Sequence, residues 1–600
     1  MIVPMQKVTV VCLAHTQEET LLQLRALGVL HVQAADKPQH ASAADVAAQI
    51  RDTDMVIEVL RQYSASAEAT SAPPAAAVDA RTLVRELLSL RERMAQREEA
   101  RARVQAHLAE LAVWGDFNPQ DVAALRARGV HVALYSCSPA EMPAIPAGCA
   151  VHEIRRTNDA VAFLLVSAQP VELPVAALPL PEKSPAALRA ELAAREQEQA
   201  DDQAEIAAQA RWLPALQQAR LALDDTLHLA QARDATGRVE ALAYLQGFVP
   251  ADAVTPFEAA ARAHGWGLLV SAPGPDDDVP TLIRNPHWLR PVETVFNFID
   301  TFPGYRERDI SGVFYLFFSL FYAMLIGDAG YAVIFLAITA GVHVKYGRRI
   351  PAQPLYLMYV LNSAMLIWGV LTGGYFGMTL PQGALLGKLV VINSSDFHSV
   401  VSLCFIIAAV QLTIAHLWNF VRMMNSPKGL EQLGWAGIII FMYFVANKLI
   451  LDKPFPAPVG YVGIGLLVVT FGLYIYDKRG EDLIAGVIQF PFSVINCFGD
   501  IASYIRLFAV GFAGVATSLA FNGIAEQVGM NTVLTGFIAA LILVLGHALN
   551  MVLGLLAVLV HGLRLNTLEF SGHLGQEWSG SRYQPLAQQA GARAEEVHSS

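Results

Sequence analysis

The second half of this chain is a succession of apolar runs, and they decide most of what the chain can fold into. From Val313 onward they fall near 313–345, 355–378, 398–421, 433–451, 459–476, 488–523 and 531–563. Each is long enough to cross a bilayer, which predicts an all-α membrane domain over 306–570. Residues 1–305 are instead rich in Ala, Arg, Glu and Gln, so a boundary falls near Thr301–Ser311. With 600 residues, at least two domains are expected. A formal charge of −11 without a sustained basic patch argues against a nucleic-acid surface.

Loop charges set the number of spans. Gly327-Asp328-Ala329-Gly330 interrupts the first run, which is therefore one long helix or a tight pair. As a pair, with the N-terminal half cytoplasmic, it puts Lys345, Arg348, Arg349, Arg422, Lys428, Lys478 and Arg479 in cytoplasmic loops. The opposite loops then hold only Lys388, Lys453 and Lys448. A single crossing reverses this, against the usual bias of basic residues. Eight transmembrane helices are expected, in a multi-pass protein of the cell membrane with a cytoplasmic tail at 571–600. The opening Met1-Ile-Val-Pro-Met-Gln-Lys has no long apolar stretch, so no cleaved signal peptide is expected.

In the N-terminal half, Lys7–Leu13 alternates like a strand. Thr16–Leu27 reads as a helix closed by Gly28, and Val29–Gln33 as a second strand. Val239–Val249 and Trp266–Val270 are further strands around a helix at Thr255–His264. Together, 1–36 and 237–280 predict a proximal α/β lobe. A distal lobe is expected over about 115–182, with strands at His131–Tyr135 and Ala160–Val166. Between the lobes, Leu83, Leu87, Leu90, Met94, Val104, Leu108 and Leu111 keep 4-3 spacing. So do Leu188, Leu192, Ile206, Leu213, Leu216, Leu223 and Leu227. This predicts a long antiparallel coiled coil over about 79–113 and 184–234, hence a two-lobed α/β cytoplasmic half. Setting Leu111 against Leu188 brings Arg97 to Asp202 and Arg101 to Glu198.

The membrane half carries polar residues where they are costly. Arg506 lies midway along its apolar run, and a cation at that depth costs roughly 3 kcal/mol. On an α-helical wheel, Gln489, Ser493, Asn496, Asp500, Ser503, Tyr504, Gly511, Gly514 and Ser518 share one side, with Arg506 at its edge. The last run repeats the pattern with His547, Asn550, Gly554 and His561, again bordered by an arginine, Arg564. Glu569 joins that face if the helix continues. Polar stripes often only hold helices together, but two arginines at depth favour an ion path. Asp328 reads equally as a cap or a path residue, His416 as an interfacial histidine.

Cys12, Cys137, Cys149, Cys404 and Cys497 lie far apart and without metal-ligand spacing, so reduced structural thiols are expected. Gly383-Ala-Leu-Leu-Gly-Lys-Leu389 resembles a phosphate loop but has three residues between its glycines and Leu389 in the magnesium-binding place. No cofactor or metal is expected, and the chain is not expected to hydrolyse nucleotide.

With these residues in hand, the chain resembles subunit I, also called subunit a, of V/A-type rotary ATPases, over nearly its whole length. The resemblance is carried by Met-Gln-Lys-Val at 5–8, Leu-Gly-Val-Leu-His at 27–31, Gly327-Asp328 with Gly330-Tyr331, Ser503-Tyr-Ile-Arg-Leu-Phe508, and His561-Gly-Leu-Arg-Leu565 followed by Glu569. It implies a stator facing a rotating proteolipid ring, with Arg506 as the essential arginine and Arg564 as its partner. The partners implied are that ring, the peripheral stalks, the central stalk and the ATPase head. Protons or sodium would cross through two half-channels, coupled to ATP hydrolysis or synthesis elsewhere. Eukaryotic members carry a histidine and a glutamate at the positions of Gly514 and Gly554. Here the half-channel candidates are Asp328, Asp500, Ser503, Tyr504, His547, Asn550, His561 and Glu569. A secondary transporter with a cytoplasmic regulatory domain is the alternative and predicts internal repeats, of which none is clear. A membrane anchor without an ion path predicts that Arg506 is dispensable.

Overall fold

The computed structural model of the chain describes all residues except 34–41, 65–78, 112–115, 140–141, 157–160, 172, 176, 179–181, 349, 380–385, 393–395, 477, 530 and 588–600. Arg349, Ala160, the distal-lobe start at 115, the Gly383 end of the phosphate-loop look-alike and the tail beyond Ala587 thus lie outside the described residues.

The N-terminal half is mixed α/β. It opens with β1 (Met5–Leu13), α1 (Gln17–Leu27) and β2 (His31–Val32). Gly28 ends α1 in the left-handed region at φ +64°, where a side chain is strained. Then come α2 (Ser42–Ser64), α3 (Ala80–Leu111), α4 (Pro119–Ala127), β3 (His131–Cys137), β4 (Ala150–Arg156), β5 (Val161–Ser167) and β6 (Ala177–Leu178). The half closes with α5 (Pro185–Gln209), α6 (Leu213–Asp234), β7 (Gly237–Val239), β8 (Leu242–Pro250), α7 (Val254–His264) and β9 (Gly267–Ser271). One sheet has the order β2-β8-β1-β9 with β7 on β8, and the other β4-β5-β3-β6. The strand expected at 239–249 is β8, starting at Leu242; β7 precedes it as a short hairpin partner, with a turn at Glu240 of φ +54°.

Chain contacts divide the protein into two compact units. One holds Met1–Val8, Gly247–Ala263 and Leu268–Pro585, the other Thr9–Gln246, His264–Gly267 and Leu586–Ser600.

Within the second unit, α3 and α5 run antiparallel. Arg97 Nη1 lies 2.8 Å from Asp202 Oδ2, and Leu111 and Leu188 share one core cluster. Glu198 is met by Arg97 at 3.7 Å rather than by Arg101. The second coiled-coil strand is two helices, not one. It turns tightly at Ala210–Trp212, where Pro214 fits the first turn of α6 but would break a continuous helix. The helix α2, for which no element was expected, packs Val56, Ile57 and Leu60 against Leu83, Leu87 and Leu216. That end is a bundle rather than a two-stranded coil.

The first unit contains α8 (Glu293–Ile299), α9 (Ser311–Ile326), α10 (Ala329–Tyr346), α11 (Ala352–Thr372), a short hairpin of β10 (Gly374–Tyr375) and β11 (Met378–Thr379), α12 (Phe397–Arg422), α13 (Pro427–Leu451) and α14 (Ala457–Ile475). It ends with α15 (Glu481–Ser503), α16 (Ile505–Val528), α17 (Val533–Ala557) and α18 (Ser571–Leu574). Seven helices among the described residues are long and apolar enough to cross a membrane, where eight were expected. The difference is α9, a pair with α10 across Gly327-Asp328 but only 16 residues long.

The last two candidate spans are composite. The first, Glu481–Val528, is 48 residues. It breaks at Tyr504, where the N–H groups of Tyr504 and Leu507 reach back three residues instead of four. The second, Val533–Leu574, is 42 residues. It widens into π-helix at Val558–Gly562 and again at Leu565–Phe570. At 1.5 Å per residue both far exceed the roughly 30 Å hydrocarbon core, so they tilt or project from it.

The core of this unit gathers around α9, with Phe314, Phe321, Phe405, Tyr504 and Phe570 fully buried. The last helix runs to Leu574 rather than stopping at 570, and the following chain folds back onto residues 281–307. Thr281 bridges Arg582, Phe302 bridges Gly580, and the Glu307 carboxylate accepts from the backbone of Glu577 and Trp578.

Candidate ion-translocation site

Two helix irregularities converge on one carboxylate. Glu569 lies in the second π segment and its side chain is only 5% exposed. Its Oε1 is 3.9 Å from Arg506 Nη1 and 3.5 Å from Arg564 Nε. Ser503 Oγ donates to the same oxygen at 3.4 Å. Arg506 is 23% exposed and Arg564 53%. Among the described residues, Arg506 Nη1 and Glu569 Oε2 are buried without a hydrogen-bond partner.

Spacing on a regular helix does not predict this. Arg564 and Glu569 are five apart, about 140° on an α-helical wheel, but a π turn closes i to i+5 and brings them to one side. Likewise the break at Tyr504 resets the phase between Asp500 and Arg506. Tyr504 itself is a core residue, whose hydroxyl donates to Gln411 at 2.7 Å. Gln411 donates to Asn566 at 2.9 Å and so ties α12 to the last span.

One polar cluster lies toward the start of α9. Asp500 Oδ2 is 2.9 Å from His573 Nε2. His573 Nδ1 is 2.9 Å from His416 Nε2, and His416 Nδ1 2.8 Å from Gln432. Asp500, His573, His416, Gln432, Asn419 and Glu569 line a cavity of about 380 Å³. Asn419 also pairs with Arg308, just ahead of α9. His573 was not among the sequence candidates, and His416 was read only as interfacial. The signal available was their pairing with Asp500, which no spacing along the chain reveals.

A second cluster lies at the other end of α9. Asp328 is the N-cap of α10, accepting from the N–H groups of Gly330 and Tyr331 at 2.8 and 3.1 Å, and it also accepts from Gly377 N–H at 2.9 Å. The Tyr331 hydroxyl meets Ser518 Oγ at 2.8 Å and His547 Nδ1 at 2.7 Å. Asn550 donates to Ser518 at 2.7 Å and to the Gly514 carbonyl at 2.8 Å. His547 Nε2 lies 3.0 Å from Asn522 Oδ1. His547 and Asn550 thus belong here with Asp328, while Asp500, Ser503 and Glu569 belong to the first cluster. His561 is half-buried and joins neither by a hydrogen bond among the described residues.

Between the clusters stand Arg506, Arg564 and their carboxylate, with packed side chains such as Phe321 edge-on to Tyr504 at 5.9 Å. Ser518 is twelve residues beyond Arg506 on α16, about 18 Å of helical rise. The Arg506–Glu569–Arg564 group thus separates the two clusters along α16 and the last span.

No protein-family model matches the chain. V-type ATP synthase subunit I 1 of Treponema pallidum is 31% identical, over 98% of this chain and 100% of that protein. V-type ATP synthase subunit I of Borreliella burgdorferi is 35% identical over 58% of this chain and 60% of its own length. A-type ATP synthase subunit I of Methanocaldococcus jannaschii is 25% identical over 61% and 58%. Among solved structures, the cytoplasmic N-terminal domain of subunit I, homolog of subunit a, of V-ATPase aligns with 44% of this chain and 99% of its own at 16% identity. Its TM-score of 0.20 establishes no common fold.

Proposed function

The chain belongs to the subunit I family of V/A-type ATP synthases, and from that premise we propose that it is the stator through which ions reach a rotating proteolipid ring. The observation that carries this reading is the convergence of Arg506 and Arg564 on Glu569, between two separate polar clusters. Each cluster serves as one half-channel. An ion enters through one, rides on a ring carboxylate, and leaves through the other. When the ring carboxylate comes opposite Arg506, the fixed cation favours its ionised form, by about 1.36 kcal/mol for every tenfold rise in its acidity constant. That releases the ion and blocks a direct leak. Among the described residues Arg506 Nη1 makes no hydrogen bond and meets Glu569 Oε1 only at 3.9 Å, so the guanidinium is not committed to an internal acceptor.

Eight crossings fit this role better than seven. Residues 577–583 pair with 281–307, so an even number of spans separates them. Counting α9 supplies the eighth, although 16 residues reach only about 24 Å. Eleven of its 16 residues are buried, so protein rather than lipid surrounds most of it. The bias of the loop charges supports a cytoplasmic N-terminal half and tail. The α/β half and its helical strut hold the peripheral stalks, while nucleotide chemistry and the central stalk belong to other subunits of the complex.

Transport by vesicles containing the whole complex tests the reading. Arg506→Ala is expected to abolish ATP-driven ion uptake while the complex still assembles. Uptake at the wild-type rate would leave only an anchor or an unrelated transporter.

A further inference from the structure

We propose that Arg308 and Arg422 form a binding site for the phosphate of an anionic phospholipid, at the bilayer surface where α9 begins and α12 ends. The site goes beyond the proposed function and needs neither half-channel.

The two arginines are far apart in the chain but share one edge of the first unit. Arg308 lies just ahead of α9, and Arg422 is the last residue of α12. Arg308 Nη1 donates to the Asn419 amide oxygen. The Gln576 amide donates to the Arg308 carbonyl at 3.3 Å. Asn419 is buried and in turn donates to Gln432 and to the His573 carbonyl, both at 3.3 Å. Arg308 is therefore held by α12 and by the chain that follows the last span. Asn419 and Arg422 are three residues apart, one turn of the same helix. That brings the second guanidinium close enough for the two charges to repel.

No carboxylate relieves the repulsion. Glu307 accepts from the N–H groups of Gly304, Glu577 and Trp578. Asp309 pairs with the Met1 amine and accepts from the Ser311 N–H. Among the described residues neither Arg308 nor Arg422 has an acidic partner. Two like charges set side by side by neutral hydrogen bonds attract an anion, and a phosphate diester accepts from two guanidinium groups at once.

The adjoining surface is apolar, which favours a lipid over a free phosphate. Along α12, Ile406, Val410, Leu417 and Val421 are between 40% and 65% exposed. They lie within about 60° of one another on a helical wheel and span about 22 Å of rise. Arg422 follows about 100° round from Val421, between this stripe and Asn419. Met424, beyond the helix end, is also exposed. An acyl chain along Leu417 and Val421 thus leads to a phosphate at Arg422 and Arg308. Basic pockets between membrane helices on the cytoplasmic side, the side assigned to this edge above, suit anionic headgroups.

The test uses the whole complex, washed in detergent containing phosphatidylcholine, with the phosphatidylglycerol retained per complex counted by mass spectrometry. Arg422 is exposed, so Arg422→Gln changes charge with little effect on packing. It is expected to hold phosphatidylglycerol about fivefold more weakly than wild type, and the double variant with Arg308→Gln more weakly still. Added phosphatidylglycerol is expected to raise the thermal stability of wild type more than that of Arg422→Gln, and phosphatidylcholine to treat them alike. Equal retention together with equal stabilisation overturns the proposal. Stabilisation by inorganic phosphate as large as by phosphatidylglycerol also overturns it, in favour of a free anion. Arg422→Cys in nanodiscs tests for a protein partner. Its reaction with a maleimide, measured against the wild-type background, is expected to be fast in phosphatidylcholine and slowed by phosphatidylglycerol. Blocked reaction in both lipids means that a neighbouring subunit covers the site, and the proposal fails. None of these readouts uses transport, so the site and the half-channels stand or fall separately.

Discussion

Arg564 and Glu569 meet at 3.5 Å across five residues because the helix between them opens into a π turn. Glu569 is thereby held between two guanidinium groups, a buried acid whose charge sets the balance of the whole site. Replacing it by glutamine leaves two cations facing one another without their shared counter-charge. Glu569→Gln is expected to reduce ion transport at least about tenfold and to cost about 1 kcal/mol of stability, below the scale for a buried ion pair because Arg564 is largely solvated. Glu569→Asp keeps the charge but shortens its reach, and is expected to fall between. Vesicle transport and thermal unfolding of the detergent-solubilised complex measure the two effects.

In the helical strut, Asp202 is 5% exposed and receives Arg97 at 2.8 Å and Arg93 at 3.6 Å. Arg97→Asp is expected to destabilise the second unit by about 2 kcal/mol, less than a fully buried pair because Arg97 is partly solvated. Adding Asp202→Arg is expected to recover only part of the loss, since the new arginine then faces Arg93. Thermal unfolding of the single and double variants gives the coupling energy, and strict additivity would contradict the pairing.

This pair was readable from heptad phase, as were α1, β3, β5 and α7 from local periodicity, and the apolar runs from their length, although eight spans were expected where seven helices are long enough. The features that make the site were not readable. The π turn at Leu565–Phe570 and the tight break at Tyr504 alter helix phase without any proline or glycine at the altered position to announce them. The wheel therefore set Glu569 and Arg506 correctly as polar but not as neighbours. His416 and His573, 157 positions apart, are joined only by packing of α12 on the last span. The helix α2 was missed because its apolar positions, Val56, Ile57 and Leu60, are few and are buried by other helices.

Close approach of backbones at the second cluster is a separate test. A Cβ on Gly369 of α11 would lie 2.3 Å from the backbone nitrogen of Ala329 and 2.8 Å from its Cα. Backbone cannot swing aside as a side chain can. Gly369→Ala is expected to push α11 from the Asp328 cap and to cost roughly 2 kcal/mol or more. Gly465→Ala, where a Cβ meets nothing within 4 Å, is the control and is expected to be neutral. Thermal stability and yield of the two purified variants decide.

Outside the membrane, Lys7 and Asp277 set a pH dependence whose sign is fixed. Lys7 Nζ donates to Asp277 Oδ1 at 2.7 Å, and the Gly274 N–H donates to Oδ2 at 2.6 Å. The Lys7 hydrogen bond leads in holding the carboxyl below its ordinary value of 3.8, with burial opposing and the Gly274 bond adding. A folded-state value below the unfolded one means that the pair's contribution is fully present above the unfolded value. It is lost as pH falls through the lower, folded value, in acid below 3.8. Lys7→Met removes the leading cause, so the variant should be less stable near neutrality and converge with wild type in acid. Unfolding of both proteins from about pH 6 down to about pH 2 measures the convergence. A stability difference that stays constant across that range would assign the effect of Lys7 to packing instead of charge.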